Sequence, residues 1–541
     1  MKFKNFILLK RLEKLNKHLF DHNNFSKKNN LIIIEYNNFY GSHLCQALLA
    51  NFFKKKFEGR IVACYNYSLI VSPLKFNFFQ KLKWKISIFI SFTFKGIYKS
   101  FGVEEFIKPE IDLYLKKKSE RFCNISLSQI KNLDDLVNLK INNIWIGDLL
   151  YDTYLKSKSK PTIELQSADF KLFFFEFVCL FYFWENFFDK NEVKTVIGVH
   201  SCYSYGINIR IAIYRNIPAF TTSTVAICKL NKKNIHMYGE YKFFKKVFSK
   251  FSKNFKLKAM QLAKKKLNLR FKGNYGLDVD LYNTNKSSFS RINNQKRYLT
   301  RSNKIKILIS THDFTDSVHV NGKLFFPDFY QWLKYLGELS NENKYEWYIK
   351  NHPSFGNKYE RYQKFTHQTV NGLLMEYKNI KLLPNDISHH QIIKEGINYV
   401  LTGYGSVAVE YSFFGIPVIN ASINNPHSNY SFSITPKNIN EYKNIISNLK
   451  NLKFKINKKE IYEYYFMRNI YPDQQWLFDN YKLFMNKIGG YHNIHSEHFY
   501  SYWLKYFNAN LVSKIYYRLD SFIKNANSYR ISINDTNKNI Y

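Results

Sequence analysis

Residues 399–420 have the sequence YVLTGYGSVAVEYSFFGIPVIN. Residues 399–402 predict a short buried strand, and the glycines that follow end it. Apolar residues at helical spacing then run over 406–414, and Gly415 and Pro417 close this helix before a second strand at 417–420. A strand, a helix and a strand of these lengths are typical of a parallel sheet.

The same alternation extends in both directions from this stretch. Further strands are predicted at 305–310, 346–350 and 380–383, with helices at 326–340, 359–377 and 388–395. Five strands alternating with four helices predict a doubly wound sheet. An earlier region repeats the rhythm, with strands at 31–35, 61–64, 195–199 and 219–222 and helices at 44–53 and 207–214. The sequence therefore predicts an α/β protein with two Rossmann-like doubly wound domains facing a cleft.

The length and the changes in composition predict how the chain is divided. At 541 residues the chain exceeds the ~250–300 residues that one core usually serves. Residues 272–304 are polar and lack apolar periodicity, which is typical of a linker. We predict an N-terminal domain over 1–271, a linker over 272–304, a second α/β domain over 305–456, a helical extension over 457–526 and a disordered tail over 527–541.

The formal charge of +40 has two interpretations. It indicates an anionic partner such as a membrane surface, or it reflects compositional drift, since Lys, Asn, Ile, Tyr and Phe are abundant together. The six cysteines lie far apart and form no C-x-x-C pair, which predicts buried free thiols rather than disulfides or a zinc site.

The N-terminal twenty residues alternate charged and apolar positions, so no signal peptide is expected and a cytoplasmic protein is predicted. The apolar stretches 84–98 and 171–188 carry charges and fall short of the ~20 apolar residues of a membrane span. Both are expected to be buried helices, and an interfacial helix remains open for 84–98. Contact with the inner face of the cytoplasmic membrane is accordingly an expectation.

Two loops that follow strands of the second domain carry residues suited to bind a phosphate. Lys350, His352 and Pro353 follow one strand, where the proline fixes the backbone beside donor side chains. Gly405 and Ser406 lead into a helix whose first N–H groups favour an anion. Glu410 lies one turn further along, where its carboxylate would accept hydrogen bonds from ribose hydroxyls. A capped strand end and a capped helix are the alternatives.

Other loops at the same edge of the predicted sheet are also polar. Residues 311–319 hold His312 and Asp316, which suit phosphate or sugar contact. Residues 385–389 and 424–427 follow later strands, and their polar side chains either bind ligand or cap the next helix.

Together, the histidine-proline pair and the pattern Gly405-Ser406-x3-Glu410-x4-Gly415-x-Pro417 resemble the donor-binding half of bacterial GT-B glycosyltransferases. The resemblance covers about 305–421 and is to capsule polysaccharide transferases and bacterial sialyl- and polysialyltransferases. It implies a metal-independent enzyme without a cofactor that binds a nucleotide-sugar donor. Val407 stands where the sialyltransferase pattern has a second hydroxyl residue, so a CMP-type and a UDP-type donor both stay open.

Sugar transfer needs a general base, normally a carboxylate or a histidine. The first domain offers Glu35, Asp148, Asp152 and His200, of which His200, at the end of a predicted strand, is the first choice. Asp278 and Asp280 resemble a metal-binding pair but lie in the polar linker, so no metal site is predicted.

The leading interpretation is transfer of a sugar to a surface-polysaccharide or lipid-linked glycan acceptor. Glycerophosphate transfer from a CDP-glycerol-type donor and nucleotide-sugar epimerisation are the enzymatic alternatives. A basic membrane- or nucleic-acid-binding protein is the non-enzymatic alternative, and it rests on the net charge alone. We expect no nucleic-acid partner.

Overall fold

The computed structural model describes residues 3–20, 29–37, 39–65, 79, 94–273, 289, 296–342, 344–351, 360–472, 476–477, 484, 487–488, 496–525 and 528–531. The chain divides into two compact units. Unit 1 comprises Met1–Thr153, Glu164–Met237 and Asp473–Tyr541, and unit 2 comprises Tyr154–Ile163 and Tyr238–Pro472. The predicted division differs from this one, because it separates the two domains by a linker at 272–304, whereas the structure changes from unit 1 to unit 2 between Met237 and Tyr238.

Unit 1 is built on a six-stranded sheet. Its strands are β1 (Asn30–Tyr36), β2 (Arg60–Tyr65), β3 (Val103–Ile107), β6 (Glu192–Gly198), β7 (Ala219–Thr222) and β8 (Ile227–Leu230), and β4 (Lys140–Ile141) and β5 (Ile144–Trp145) form a separate hairpin. The strand order is β3-β2-β1-β6-β7-β8, with every pair parallel except β7 with β8. Six of the seven residues of β1 are buried, as expected for a central parallel strand.

Eight helices precede residue 215 in the described part of the chain. They are α1 (Phe3–Leu19), α2 (Tyr40–Phe57), α3 (Lys95–Ser100), α4 (Leu113–Gln129), α5 (Leu133–Val137), α6 (Gly147–Lys158), α7 (Ala168–Lys190) and α8 (Gly206–Tyr214). The predicted buried helix at 171–188 is confirmed by α7, in which twelve residues are buried. Most of the other apolar stretch, 84–98, lies outside the described residues.

Unit 2 is built on a five-stranded sheet. Its strands are β9 (Lys306–Ser310), β10 (Glu346–Lys350), β11 (Ile380–Leu382), β12 (Tyr399–Thr402) and β13 (Val418–Asn420). They pair in parallel in the order β11-β10-β9-β12-β13. All five predicted strands are confirmed within one residue at either end, and so is the doubly wound sheet.

The helices of unit 2 cover this sheet. They are α9 (Phe244–Ser249), α10 (Lys253–Phe271), α11 (Phe329–Glu342), α12 (Glu360–Glu376), α13 (His389–Lys394), α14 (Val407–Phe413), α15 (Ile439–Ser447) and α16 (Lys458–Tyr465). Helix α10, which the sequence assigned to the first domain, buries Ala263, Leu267 and Phe271 in the core of unit 2 together with Tyr464. Phe289, within the predicted linker, is also buried there against Phe271.

The predicted helical extension is shared by the two units. Helix α16 ends in a π-helical turn, Phe466–Ile470, within unit 2, whereas α17 (Glu497–Tyr506) and α18 (Ala509–Lys524) belong to unit 1. Part of the predicted disordered tail is ordered, because Arg530 bridges to Cys228 of β8 and the Ile531 amide donates to the Ile227 carbonyl. Residues 532–541 lie outside the described residues.

All six cysteines are free and buried, as predicted. Among the described helices, none combines the length and the apolar character that crossing a bilayer requires.

Gly337, in the middle of α11, allows close packing of the Tyr377 ring. A Cβ atom at Gly337 would lie 2.3 Å from Cδ2 of Tyr377, whereas one at Gly372 in α12 would meet no atom within 4 Å. We predict that Gly337→Ala lowers the free energy of unfolding by about 1–3 kcal/mol, because overpacking outweighs the gain in helix propensity. Gly372→Ala, the matched control, should raise it by about 0.5–1 kcal/mol. Denaturant titration measures both, and a stabilised Gly337→Ala would contradict this packing.

Candidate functional site

Both sheets reverse their winding at a central strand. In unit 1, β1 lies between β2 and β6, and in unit 2, β9 lies between β10 and β12. Ligands of open α/β sheets bind in the crevice beyond the carboxyl ends of the strands at such a point. The residues that follow β9 and β12 in unit 2, and β1 and β6 in unit 1, are therefore the ones that position a site.

In unit 2 the loops after β9 and β12 are joined by hydrogen bonds. The Thr402 hydroxyl oxygen lies 3.1 Å from Nε2 of His312 and accepts from the Gly405 amide at 3.1 Å. The Tyr404 amide donates to the same His312 nitrogen at 3.3 Å. Because Nε2 accepts, the neutral ring carries its proton on Nδ1. His312 thus fixes the glycine loop.

The glycines of this loop are required by close packing against Phe329 and Thr402. A Cβ atom at Gly403 would lie 2.6 Å from the Phe329 ring, and one at Gly405 would lie 2.8 Å from the Thr402 hydroxyl. The His312 ring stacks on Phe329 with centroids 4.5 Å apart. From the sequence, these glycines are interpreted as allowing a ligand to approach the backbone. In the structure they are explained by packing within the protein.

Ser406 follows the glycine loop, and its side chain is exposed. It lies beside two charged residues, Glu410 and Arg270. Its hydroxyl donates to Oε1 of Glu410 at 3.5 Å, and Arg270 donates to the same oxygen at 2.7 Å. Ser406 occupies the predicted N-cap position, but its side chain makes no capping hydrogen bond. Glu410 is buried in this salt bridge. Sequence reasoning missed Arg270, because nothing local links the end of α10 to this loop.

The residues after β10 are placed differently from the prediction. Lys350 was expected to face the crevice, but it is buried and its ammonium donates to the Asn385 carbonyl at 3.3 Å. His352 and Pro353 lie outside the described residues, so their role stays a prediction. Asp316 is exposed and pairs with Lys156 at 2.9 Å.

The remaining polar loops of unit 2 have structural roles. Ser388 caps α13 by accepting from the His390 amide, which agrees with the capping alternative. His427 is buried and contacts the Asn420 side chain at 2.9 Å. Burial, with a contribution from Arg468, lowers the pKa of His427 to about 3, so the ring is neutral near pH 7.

In unit 1 the candidate base Asp148 is part of a buried ion pair. Both its oxygens accept from the Arg210 guanidinium, at 2.8 and 3.3 Å, and both side chains are almost fully buried. The guanidinium also donates to the Trp145 carbonyl and lies over the Trp145 ring. A carboxylate held in this way is not available to take a proton from an acceptor. This placement argues against the prediction for Asp148.

His200, the first choice as base, follows β6 and is partly buried. Its Nδ1 accepts from the Cys202 amide at 3.2 Å. The neutral ring therefore carries its proton on Nε2, where it is a donor rather than a base.

Glu35, near the end of β1, lines a cavity of unit 1. The enclosed space is small, about 20 Å³, which is room for about one water molecule. Its walls are aromatic, polar and apolar, and include Tyr65, Trp184, Ser204, Tyr205 and Asn208. The Val199 amide donates to Oε2 of Glu35 at 2.9 Å, which fixes the carboxylate at the winding reversal.

Cys64 lies beside Glu35 in the same cavity. Burial raises the pKa of the Cys64 thiol well above its ordinary value, and the negative charge of Glu35 raises it further. The thiol therefore stays protonated near neutral pH and is a poor nucleophile. Within the described ranges, no group of three or more His, Cys, Asp or Glu side chains is arranged to hold a metal ion. Asp278 and Asp280 lie outside those ranges.

The two sheets and the polar loops at their winding reversals define an α/β protein with two Rossmann-like units. No protein-family model matches the chain, and no curated protein sequence does. Similar solved folds include the β-Kdo 2,4 transferase KpsC of Thermosulfurimonas dismutans, at 11% identity and a TM-score of 0.31 over 51% of this chain and 79% of that one.

Two further solved folds are similar over more of the chain. The UDP-GlcNAc 2-epimerase of Neisseria meningitidis aligns over 92% of this chain and all of its own, at 11% identity and a TM-score of 0.21. The MnaA–UDP complex of S. aureus aligns over 85% and 97%, at 11% identity and a TM-score of 0.23. The fold assignment rests on the strand order of the two sheets.

Asp148→Ala should destabilise unit 1 rather than remove a catalytic base. Leaving Arg210 buried without its partner should cost about 3–5 kcal/mol of unfolding free energy. The matched control is Asp189→Ala, which breaks the exposed Arg215–Asp189 pair and should cost at most about 1 kcal/mol. Denaturant unfolding distinguishes the two variants, and an Asp148→Ala protein as stable as the control would contradict the buried pair.

Proposed function

We propose that the chain is a glycosyltransferase that takes a sugar from a nucleotide-sugar donor to a glycan or lipid-linked glycan acceptor. The observation that carries the proposal is the cluster of Ser406, Glu410 and Arg270 at the winding reversal of the unit 2 sheet. A second polar site, at Glu35, lies at the corresponding point of the unit 1 sheet.

The unit 2 cluster has the chemistry of a phosphate site. Arg270 is partly exposed and salt-bridged to Glu410, and a guanidinium carries five N–H donors in a planar fork. The guanidinium and the Ser406 hydroxyl would bind the phosphates of the donor, since Arg suits bidentate phosphate recognition. Helix α14 is only seven residues long, so its dipole adds little. Glu410 would hold Arg270 in place in this site. This role differs from the contact with ribose hydroxyls that the sequence predicts for Glu410.

The fixed loop supports the same assignment. The bonds of Thr402 and His312 hold the backbone from Gly403 to Ser406 before any ligand arrives. The Tyr404 hydroxyl lies 3.3 Å from the carbonyls of Ser317 and Val318, which anchors the loop on its other side. A site held in this way loses little conformational entropy on binding.

One hydroxyl of the acceptor would enter the small unit 1 cavity beside Glu35. Aromatic rings beside carboxylate, hydroxyl and amide groups suit the apolar faces and the hydroxyls of a sugar. Glu35 would accept the proton of the attacking hydroxyl as the new bond to the anomeric carbon forms. The bond from that carbon to the phosphate oxygen breaks, and the leaving phosphate keeps the electron pair.

Glycerophosphate transfer and epimerisation also need a nucleotide site, and product analysis separates them from sugar transfer. Transfer predicts that the donor is consumed only when an acceptor is present, apart from slow hydrolysis. Conversion of a UDP-sugar into its 2-epimer without acceptor would contradict the proposal.

Ser406→Ala should weaken nucleotide binding without unfolding the chain. One hydrogen bond to a charged phosphate is worth about 1.5–3 kcal/mol, so the Kd should rise roughly tenfold or more. A thermal-shift screen of CMP, CDP, UDP and GDP measures this, since a ligand at 100 times its Kd stabilises by about 2.7 kcal/mol. The control is Ser249→Ala, an exposed serine of unit 2 that bonds only its own turn in the described contacts. Equal Kd values for the two variants would remove Ser406 from the site.

Glu35→Gln should lower the transfer rate by about 10²–10⁴-fold, because the amide cannot take a proton. It keeps an oxygen to accept from the Val199 amide, so the melting temperature and the donor Kd should change little. His200→Gln is the comparison, and its rate should stay near wild type. A normal rate for Glu35→Gln with a large loss for His200→Gln would reassign the base to His200.

A further inference from the structure

Helix α4 presents two very different faces. Its inner face buries Leu115, Ser119, Cys123 and Ser126. Its outer face carries a row of Tyr114, Lys117, Arg121 and Ile125, spaced three, four and four residues apart. This spacing places the four side chains along one stripe of the helix.

The stripe and the residues before it expose large apolar side chains. Leu113 is 76% exposed, Tyr114 69%, Ile125 54% and Ile111 40%. Four of the thirteen strongly exposed large apolar side chains in the described part of the chain therefore fall within residues 111–125. A cluster of this kind marks an interaction site, whereas isolated exposed apolar residues do not.

The cations of the stripe are available to a partner. Lys117 and Arg121 are exposed, and neither has an ion-pair partner among the described residues. The neighbouring Lys118, in contrast, pairs with Glu185 at 3.0 Å. Glu110, Glu120 and Asp112, which caps the helix through the Leu115 amide, are the acidic residues of 110–125. They are outnumbered by Lys116, Lys117, Lys118 and Arg121.

We infer that this surface docks onto an anionic phospholipid membrane. The α4 surface is defined by Ile111, Leu113, Tyr114, Lys117, Arg121 and Ile125. Exposed aliphatic side chains gain free energy when they leave water for the acyl boundary, and Tyr suits the headgroup level. Lys and Arg beside them are attracted to anionic headgroups. The inference does not depend on the proposed sugar transfer, because membrane binding needs neither donor nor acceptor.

Charge and composition favour a membrane over other partners. Two copies of this chain meeting through the α4 surface would bury two sets of the same cations in one interface, because a two-fold interface uses the same patch twice. A nucleic acid would engage the cations and Tyr114, but it would leave Leu113, Ile111 and Ile125 without a favourable contact. A bilayer with anionic headgroups satisfies both the apolar and the charged residues.

The test is sedimentation of the full chain with phosphatidylcholine vesicles, with and without phosphatidylglycerol, in the absence of nucleotide. Wild type should bind the anionic vesicles and not the neutral ones, and added salt should weaken binding. Each basic residue near an anionic surface contributes roughly fivefold to the partition coefficient. Leu113→Ser with Lys117→Glu should therefore lower it by at least about tenfold.

The matched control is Leu257→Ser with Lys258→Glu, an exposed Leu–Lys pair on the lysine-rich helix α10. It makes the same change in charge and in apolar character, and it should leave binding within about twofold of wild type. An equal loss in both variants, or no binding of wild type, would overturn the inference. Preferential binding of an RNA oligonucleotide, or dimerisation abolished by the α4 variant, would overturn it in favour of those partners.

Discussion

The parallel pairing of β9 with β10 on one side and β12 on the other is the constraint on which the unit 2 site depends. Parallel pairing brings the carboxyl ends of these strands to one edge of the sheet, so His312 and the loop from Gly403 to Ser406 meet there. The hydrogen bond between Thr402 and His312 then fixes the loop. In unit 1, β1 with its neighbours β2 and β6 does the same for Glu35 and Val199.

The unit 2 sheet could be predicted from the sequence because its strands are short apolar runs separated by helices of regular length. The domain boundary could not. Helix α10 carries many lysines, and only the burial of Ala263, Leu267 and Phe271 assigns it to unit 2. The burial of Phe289 could not be predicted either, because the segment around it is polar and its aromatic partners are distant in sequence.

The candidate side chains were predicted less well than the fold, and ion pairing is the reason. Asp148 meets Arg210 62 residues away, and Glu410 meets Arg270 140 residues away. Such partners decide whether a carboxylate can act as a base or only positions a neighbour, and no local pattern reveals them. Sequence spacing located the loop at Ser406, whereas Arg270, the cation that pairs with Glu410 beside it, comes from the end of another helix.

Binding of a nucleotide at the winding reversal of the unit 2 sheet can be tested by hydrogen–deuterium exchange of the full chain with UDP or CMP. We expect slower exchange of the amides from Gly403 to Glu410 and at the end of α10, around Arg270. Exchange around Glu35 in unit 1 should not change with nucleotide alone. Protection confined to unit 1, with exchange at Ser406 unaltered by a nucleotide that binds, would contradict the account.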